Sequence, residues 1–390
     1  MEEFSPIEPV EVPTQGTTQN TNEETPTTTT TPLTNAEILA KYLALPGNEF
    51  NYSNPNLPRH FTNGNTNDLD NTPNDNRITN TTATLGRVLF YDKNLSANNT
   101  IACASCHLQD KGFSDPAQFS TGFEGGLTGR QSMGLANARY YANGRFFWDE
   151  RATTLEDQTL MPIQDHIEMG MTLEDLVPKL QAQEYYGILF EDAFGNEEVS
   201  SDRISLALAQ FVRSMVSYQS KYDQGLSMAN GGNVNQLPNF STLENLGLQI
   251  FTNPQRGGCI SCHTGPLQTG IGAQNNGLDL RTVDEGLGAV TGNAMDEGKF
   301  KSPSLRNIGV TAPYMHDGRF ATLLEVVEHY NSGVQAHPNL DPRLRGGRGN
   351  PQPRRLNLSD QEKQALVAFL NTLTDETFLT DEKFSDPFIN

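Results

Sequence analysis

Cys103-Ala104-Ser105-Cys106-His107 and Cys259-Ile260-Ser261-Cys262-His263 are two copies of one pattern, and they use all four cysteines of the chain. Cys-x-x-Cys-His is the attachment signature of a c-type haem. Its two thiols add to the vinyl groups of the macrocycle, and the His that follows is placed to bind the iron from one face. A redox or zinc Cys-x-x-Cys pair does not call for a His directly after its second Cys. Disulfides would leave both histidines unexplained. The sequence therefore predicts two covalent haem c groups, one held by Cys103, Cys106 and His107, the other by Cys259, Cys262 and His263.

Working outward from these motifs, 390 residues leave room for one domain around each, with segments to spare. Residues 1–33 are rich in Thr, Pro, Glu and Asn and read as a disordered tether. Residues 34–80 read as a helix carrying Ile38, Leu39, Tyr42 and Leu43 at helical spacing, followed by an Asn-, Pro- and Asp-rich surface wrap. Leu85 to Tyr91 predicts a helix before the first motif, and Thr242 to Phe251 one before the second. Ile204, Leu208, Phe211 and Met215 form one stripe of a further helix. Thr154 with Asp157 and Thr172 with Asp175 resemble capping boxes, and Ser359 with Glu362 makes a full one opening a last helix through Leu373. The Gly/Asn/Pro-rich stretch 229–240 marks the boundary between a first haem domain, 81–228, and a second, 229–390. Strand-like alternation is scarce. The expected fold is mainly α: two cytochrome c-like domains, each with one covalent haem, joined by long loops and related by duplication.

The formal charge of −20 excludes nucleic acid as a natural partner. An acidic surface could steer a basic electron-donor protein, or serve solubility alone. No apolar run is long enough to cross a membrane. Met1-Glu2-Glu3 lacks the basic and apolar parts of a signal peptide. Because c-type haem is attached outside the cytoplasm, the sequence is expected to be a mature form with an added start Met. Its expected place is the periplasmic or outer-surface side of a bacterial envelope, where the Thr-rich segment would suit a lipid-tethered precursor.

What occupies the sixth position of each iron decides the chemistry. No His falls between Gly112 and Gly144 after the first motif, and Met133 is the one soft ligand there. The next His is His166. An open position at the first haem follows. Glu168 lies within reach in sequence, and a carboxylate above iron could take a proton from one peroxide oxygen and deliver it to the other. The ordinary reading of Glu168 is a solvated surface acid. Trp148, the sole tryptophan, reads either as a buried aromatic or as an oxidisable ring between the haems.

From Leu85 to Leu373 the chain resembles the bacterial dihaem cytochrome c peroxidase and MauG superfamily. The shared motifs run in the family's order: Leu85 to Asp92, Cys103 to His107, Phe147-Trp148-Asp149 with Arg151-Ala152, Leu155-Glu156 with Gln158, Pro162, Glu168-Met169, Cys259 to His263, Ser302 to Asn307, and Thr311 to Gly318. The resemblance implies that Gln158, Pro162 and Glu168 form the peroxide pocket and that Trp148 stands between the haems. It implies Ca²⁺ between the domains on the carbonyls of Thr311 and Pro313, with Gln131 where the family has Asn. Two departures matter. The loop His that gates ordinary dihaem peroxidases is absent. Tyr330 stands at the position of the Met that binds the second iron, as in MauG, with Met315 and Met295 as substitutes. Tyr oxygen belongs with oxidised haem.

The main expectation is a hydrogen peroxide-using oxidoreductase of the cytochrome c peroxidase type with an ungated first haem, fed by a small redox protein. The alternative is a MauG-like enzyme that oxidises residues of a partner protein through a high-valent bis-haem state. A dihaem electron carrier without enzymatic activity is the third reading. Relatives of this kind imply a homodimer.

Overall fold

Two helix pairs organise the molecule. The computed structural model describes residues 33–270, 272–347 and 352–389, so nearly all of the expected tether lies outside it. In the first pair, Asn80–Tyr91 crosses Ser201–Ser214; in the second, Thr242–Thr252 crosses Asp360–Asn371. Each crossing is closed by a glycine. A Cβ on Gly86 would lie 2.0 Å from the carbonyl oxygen of Ala207, and one on Gly247 would lie 1.9 Å from that of Ala365. The backbones touch, and Phe211 and Phe369 pack beside the two contacts. Ile204, Leu208, Phe211 and Met215 are all buried in the first core, as their helical spacing predicts.

The helices start where their caps place them. Thr79, Ser200, Ser241 and Ser359 each accept a hydrogen bond from a backbone N–H of the first turn. Ser241 with Glu244 and Ser359 with Glu362 are full capping boxes. Thr154 and Thr172 also cap, but Asp157 and Asp175 bond to the hydroxyls of Thr153 and Thr172 rather than to the cap backbone. The N-terminal helix is shorter than its spacing suggests, spanning Asn35–Leu39, after which Leu43 bridges to Phe388. The wrap that follows contains short helices at Arg59–Thr62 and Gly64–Asn67. Among the described residues the strands are Ala273–Gln274 and Phe300–Lys301, paired antiparallel. No helix among them is long and apolar enough to cross a membrane.

The halves repeat one plan. After the two motifs the chain folds back in bridges Leu108 with Ser114 and Thr264 with Thr269. Asn137 and Asn307, both left-handed, each open a 3₁₀ turn. Phe146 bridges to Ala152 as Tyr314 does to Phe320. Thr154 and Thr322 then cap the helices Leu155–Gln164 and Leu323–Glu328. Asp149, Arg151, Thr154 and Leu155 recur as Asp317, Arg319, Thr322 and Leu323. On this register Trp148 corresponds to His316, Glu150 to Gly318, and Pro162 to Tyr330.

The cores do not divide the chain at residue 229. Tyr222, in the helix Lys221–Ala229, belongs to the second core and donates from its backbone N–H to Thr372 O at 3.0 Å. Phe378 and Phe384, near the end, return to the first core, where Phe384 meets Tyr52 from the wrap. A smaller cluster of Phe61, Tyr140, Val216 and Leu267 lies at the seam.

Candidate functional site

The first motif opens onto a cavity of about 480 Å³. Gly112 and Phe113, both left-handed, turn the chain back so that Phe113 O lies 2.7 Å from His107 Nδ1. That carbonyl accepts the Nδ1 proton, which leaves Nε2 with its lone pair. Burial also pushes the ring's pKa down, so the imidazole is neutral. Cys106, His107, Gln131, Trp148, Gln158, Pro162 and Glu168 all line this one cavity. His107 is the sole histidine among its lining residues, and Met133 is the sole thioether. His166 is exposed on the surface.

Glu168 owes its place to a turn that sequence reasoning passed over. Asp165 Oδ1 accepts from the N–H of Ile167 at 2.8 Å and of Glu168 at 3.1 Å. This is the local Asx pattern, legible in principle from Asp at a helix end. Phe123 N donates to Glu168 O at 3.0 Å from the neighbouring loop. That approach needs Gly122, where a Cβ would sit 1.6 Å from Ile167 O. Burial first, then Asp165, raise the Glu168 carboxyl; Arg151, also lining the cavity, pulls it back.

The second motif opens onto a cavity of about 240 Å³ lined by Cys259, Cys262, His263, Met315 and Tyr330. Burial pushes His263 down to about 4. Its Nδ1 is buried without a hydrogen-bond partner, although the carbonyls of Gln268 and Pro303 favour its protonated form. Tyr330 sits in a π-helical turn, His329–Gly333, a geometry common at functional sites. Burial raises its phenol to about 12. Asn276, which no sequence signal marked, places its amide nitrogen 3.5 Å from both Tyr330 Oη and Met315 Sδ. Met295 is exposed and away from this cavity.

Trp148 lines both cavities. Its indole N–H donates to Gln131 O at 2.8 Å, which fixes the ring, and its backbone carbonyl accepts from Lys301 N at 2.7 Å. Gln131, Thr311 and Pro313 share the lining of the second cavity. Gln131 Nε2 donates to Asp115 O at 3.0 Å. Among the described residues no group of three or more His, Cys, Asp or Glu could hold a metal ion.

The residues fit a haem in each cavity. The four cysteines are free thiols. Burial pushes Cys103, Cys106 and Cys259 up to about 12, 11 and 12, and raises Cys262 as well. A redox-active pair would need a thiolate and a lowered pKa. Neutral thiols beside a neutral imidazole, on an apolar hollow, are the donor set of an attached haem.

The description "di-haem cytochrome c peroxidase" covers the family profile that matches residues 80–230. Over 301 residues the chain is 32% identical to the methylamine utilization protein MauG of Methylophilus methylotrophus, covering 77% of this chain and 84% of that one. Over 302 residues it is 34% identical to the cytochrome c551 peroxidase of Nitrosomonas europaea, covering 75% and 80%. In structure it is similar to a MauG-like protein associated with microbial copper homeostasis, with a TM-score of 0.72, 32% identity, and coverage of 86% and 99%.

Proposed function

Since the chain belongs to the di-haem cytochrome c peroxidase and MauG family, and is a two-haem enzyme of the peroxidase class, we propose that it reduces hydrogen peroxide in the His107 cavity. The observation that carries this reading is one hollow lined by a neutral imidazole, a raised carboxylate and no second histidine. Haem, attached through Cys103 and Cys106 and through Cys259 and Cys262, supplies iron that binds peroxide and exchanges electrons.

The chain's own residues do the rest. Glu168 takes the proton from one peroxide oxygen and returns it to the leaving one. Gln158 offers an amide to orient the peroxide. Pro162 stands where the second half has Tyr330 and offers no ligating atom, which keeps the site open. Trp148, shared by both hollows, passes electrons from the second to the first. His263 and Tyr330, which line one cavity, would hold the second iron. The electrons come from a small redox protein or from a protein substrate. Tyr330 favours the second of these, the MauG-like reading, since a phenol oxygen suits oxidised iron better than a thioether does.

Calcium on Gln131 and the carbonyls of Thr311 and Pro313 would brace the seam, a reading supported by their common cavity. The two Cys-x-x-Cys-His motifs support a place on the periplasmic or outer-surface side of a bacterial envelope, since c-type haem is attached outside the cytoplasm. The test is Glu168→Gln. It should leave both haems in place and lower peroxide turnover by about 10²–10⁴-fold; near-normal turnover would remove Glu168 from the reaction.

A further inference from the structure

Glu150 stands where the internal repeat has Gly318, and both are left-handed, with φ of +57° and +63°. A side chain in that conformation is strained. Its carboxylate is also buried, with the residue only 4% exposed. Such a residue persists where something else holds it. Here the phenol of Tyr141 donates to Glu150 Oε1, and Asn143 Nδ2 donates to Oε2 at 2.9 Å.

Tyr141 is itself buried and lines the His107 cavity together with Trp148. Lys301 Nζ lies 3.7 Å from the centre of its ring and donates to Arg145 O at 3.0 Å. Residues 142–145, which follow directly, are largely exposed. The phenol thus lies in the wall of the hollow, with a turn open to solvent next to it in the chain. The peroxide chemistry described above uses neither Tyr141 nor Glu150.

We propose that Tyr141 is a redox-active residue, losing one electron to the His107 cavity as its phenolic proton passes to Glu150. This rests on the peroxidase reading, which supplies the oxidant. Reduction of one peroxide to two waters takes two electrons and two protons. Tyr141 supplies one electron, the second haem's side supplies the other, and both protons come from solvent water. The O–H bond of Tyr141 breaks and an O–H bond forms on Glu150. A one-electron organic reductant at the turn 142–145 then returns an electron, and the proton goes back from Glu150 to the phenol.

The surroundings favour this coupled route. Burial, and then Glu150, push the Tyr141 phenol well above its usual range, so losing the proton first is closed. Electron loss without proton loss would leave a cationic ring beneath the Lys301 side chain. Transfer along a preformed hydrogen bond avoids both charged states.

The test uses the holo-protein with ring-deuterated tyrosine, oxidised either by peroxide or by a photogenerated ruthenium(III) complex, and read by EPR. A deuterium-sensitive tyrosyl signal under both oxidants, absent in Tyr141→Phe with haem content unchanged, is expected. Glu150→Gln keeps a hydrogen-bond acceptor that cannot take the proton, and should lower the radical yield by about tenfold or more. A signal that persists in Tyr141→Phe overturns the proposal, as does the lack of any tyrosyl signal under both oxidants. An unchanged yield in Glu150→Gln overturns Glu150 as the acceptor. A signal with the ruthenium oxidant but none with peroxide supports the Tyr141–Glu150 pair and sinks the peroxidase reading instead.

Discussion

Glu168 shows how far one residue's chemistry depends on its surroundings. As sequence it is one acid among many; the structure sets it in a hollow where burial and Asp165 raise its carboxyl. Only its carboxylate can take a proton from peroxide. Turnover should therefore rise with pH along a limb lying above the ordinary Glu value of about 4.3, and Glu168→Gln should abolish that limb. Arg151→Gln removes the one group that lowers the carboxyl, so the limb should move to higher pH. The sign for stability is opposite. A raised folded-state pKa favours the fold below the unfolded value, and that gain is lost as pH rises through the folded one. Glu168→Gln should therefore be at least as stable as the parent at neutral pH, by thermal unfolding. Tyr330 was legible by position, but Asn276 beside it was not, because that contact joins loops far apart in sequence. Tyr330→Met should raise the second haem's reduction potential; an unchanged potential would take Tyr330 off the iron.

Elements were legible wherever local chemistry decides them. The helices before the two motifs, the stripe from Ile204 to Met215, and the Ser359 cap follow from spacing and side-chain hydrogen bonds within a few residues. The glycine crossings did not, because what Gly86 and Gly247 meet is a distant carbonyl. The turn from Asp165 to Gly170 is the element on which the site depends, and Gly122 sets its distance from the neighbouring loop. Gly122→Ala must push that turn away, and misplacing an acid–base group by about 1 Å costs roughly tenfold to a hundredfold in rate. The expected result is slower peroxide turnover with both haems retained. Unchanged kinetics would mean that the loop yields instead of the turn.

At the scale of the molecule, a buried charge cluster ties three distant segments together. Arg306 Nη1 and Nη2 donate to the Asp223 carboxylate at 2.5 and 2.8 Å, and His60 Nε2 lies 2.7 Å from Asp223 Oδ1. Burial alone would raise the Asp223 carboxyl, but Arg306, His60 and Ser220 together hold it well below its usual range. The resulting stability is present above the unfolded value of about 3.9 and is lost as pH falls toward the folded one. Asp223→Asn leaves Arg306 buried without its counter-charge and should cost about 3–5 kcal/mol, read from denaturant unfolding of the holo-protein. A loss under about 1 kcal/mol would show that water reaches the cluster. Sequence could not reveal this tie, since His60, Asp223 and Arg306 belong to three separate segments.

Phe378 and Phe384 fill the core around the first motif, and Tyr52 Oη donates to Lys383 O at 2.6 Å. Along the chain, then, the half that comes first is the half completed last. Residues 85–215 keep an unfinished interior until residues 376–389 join them.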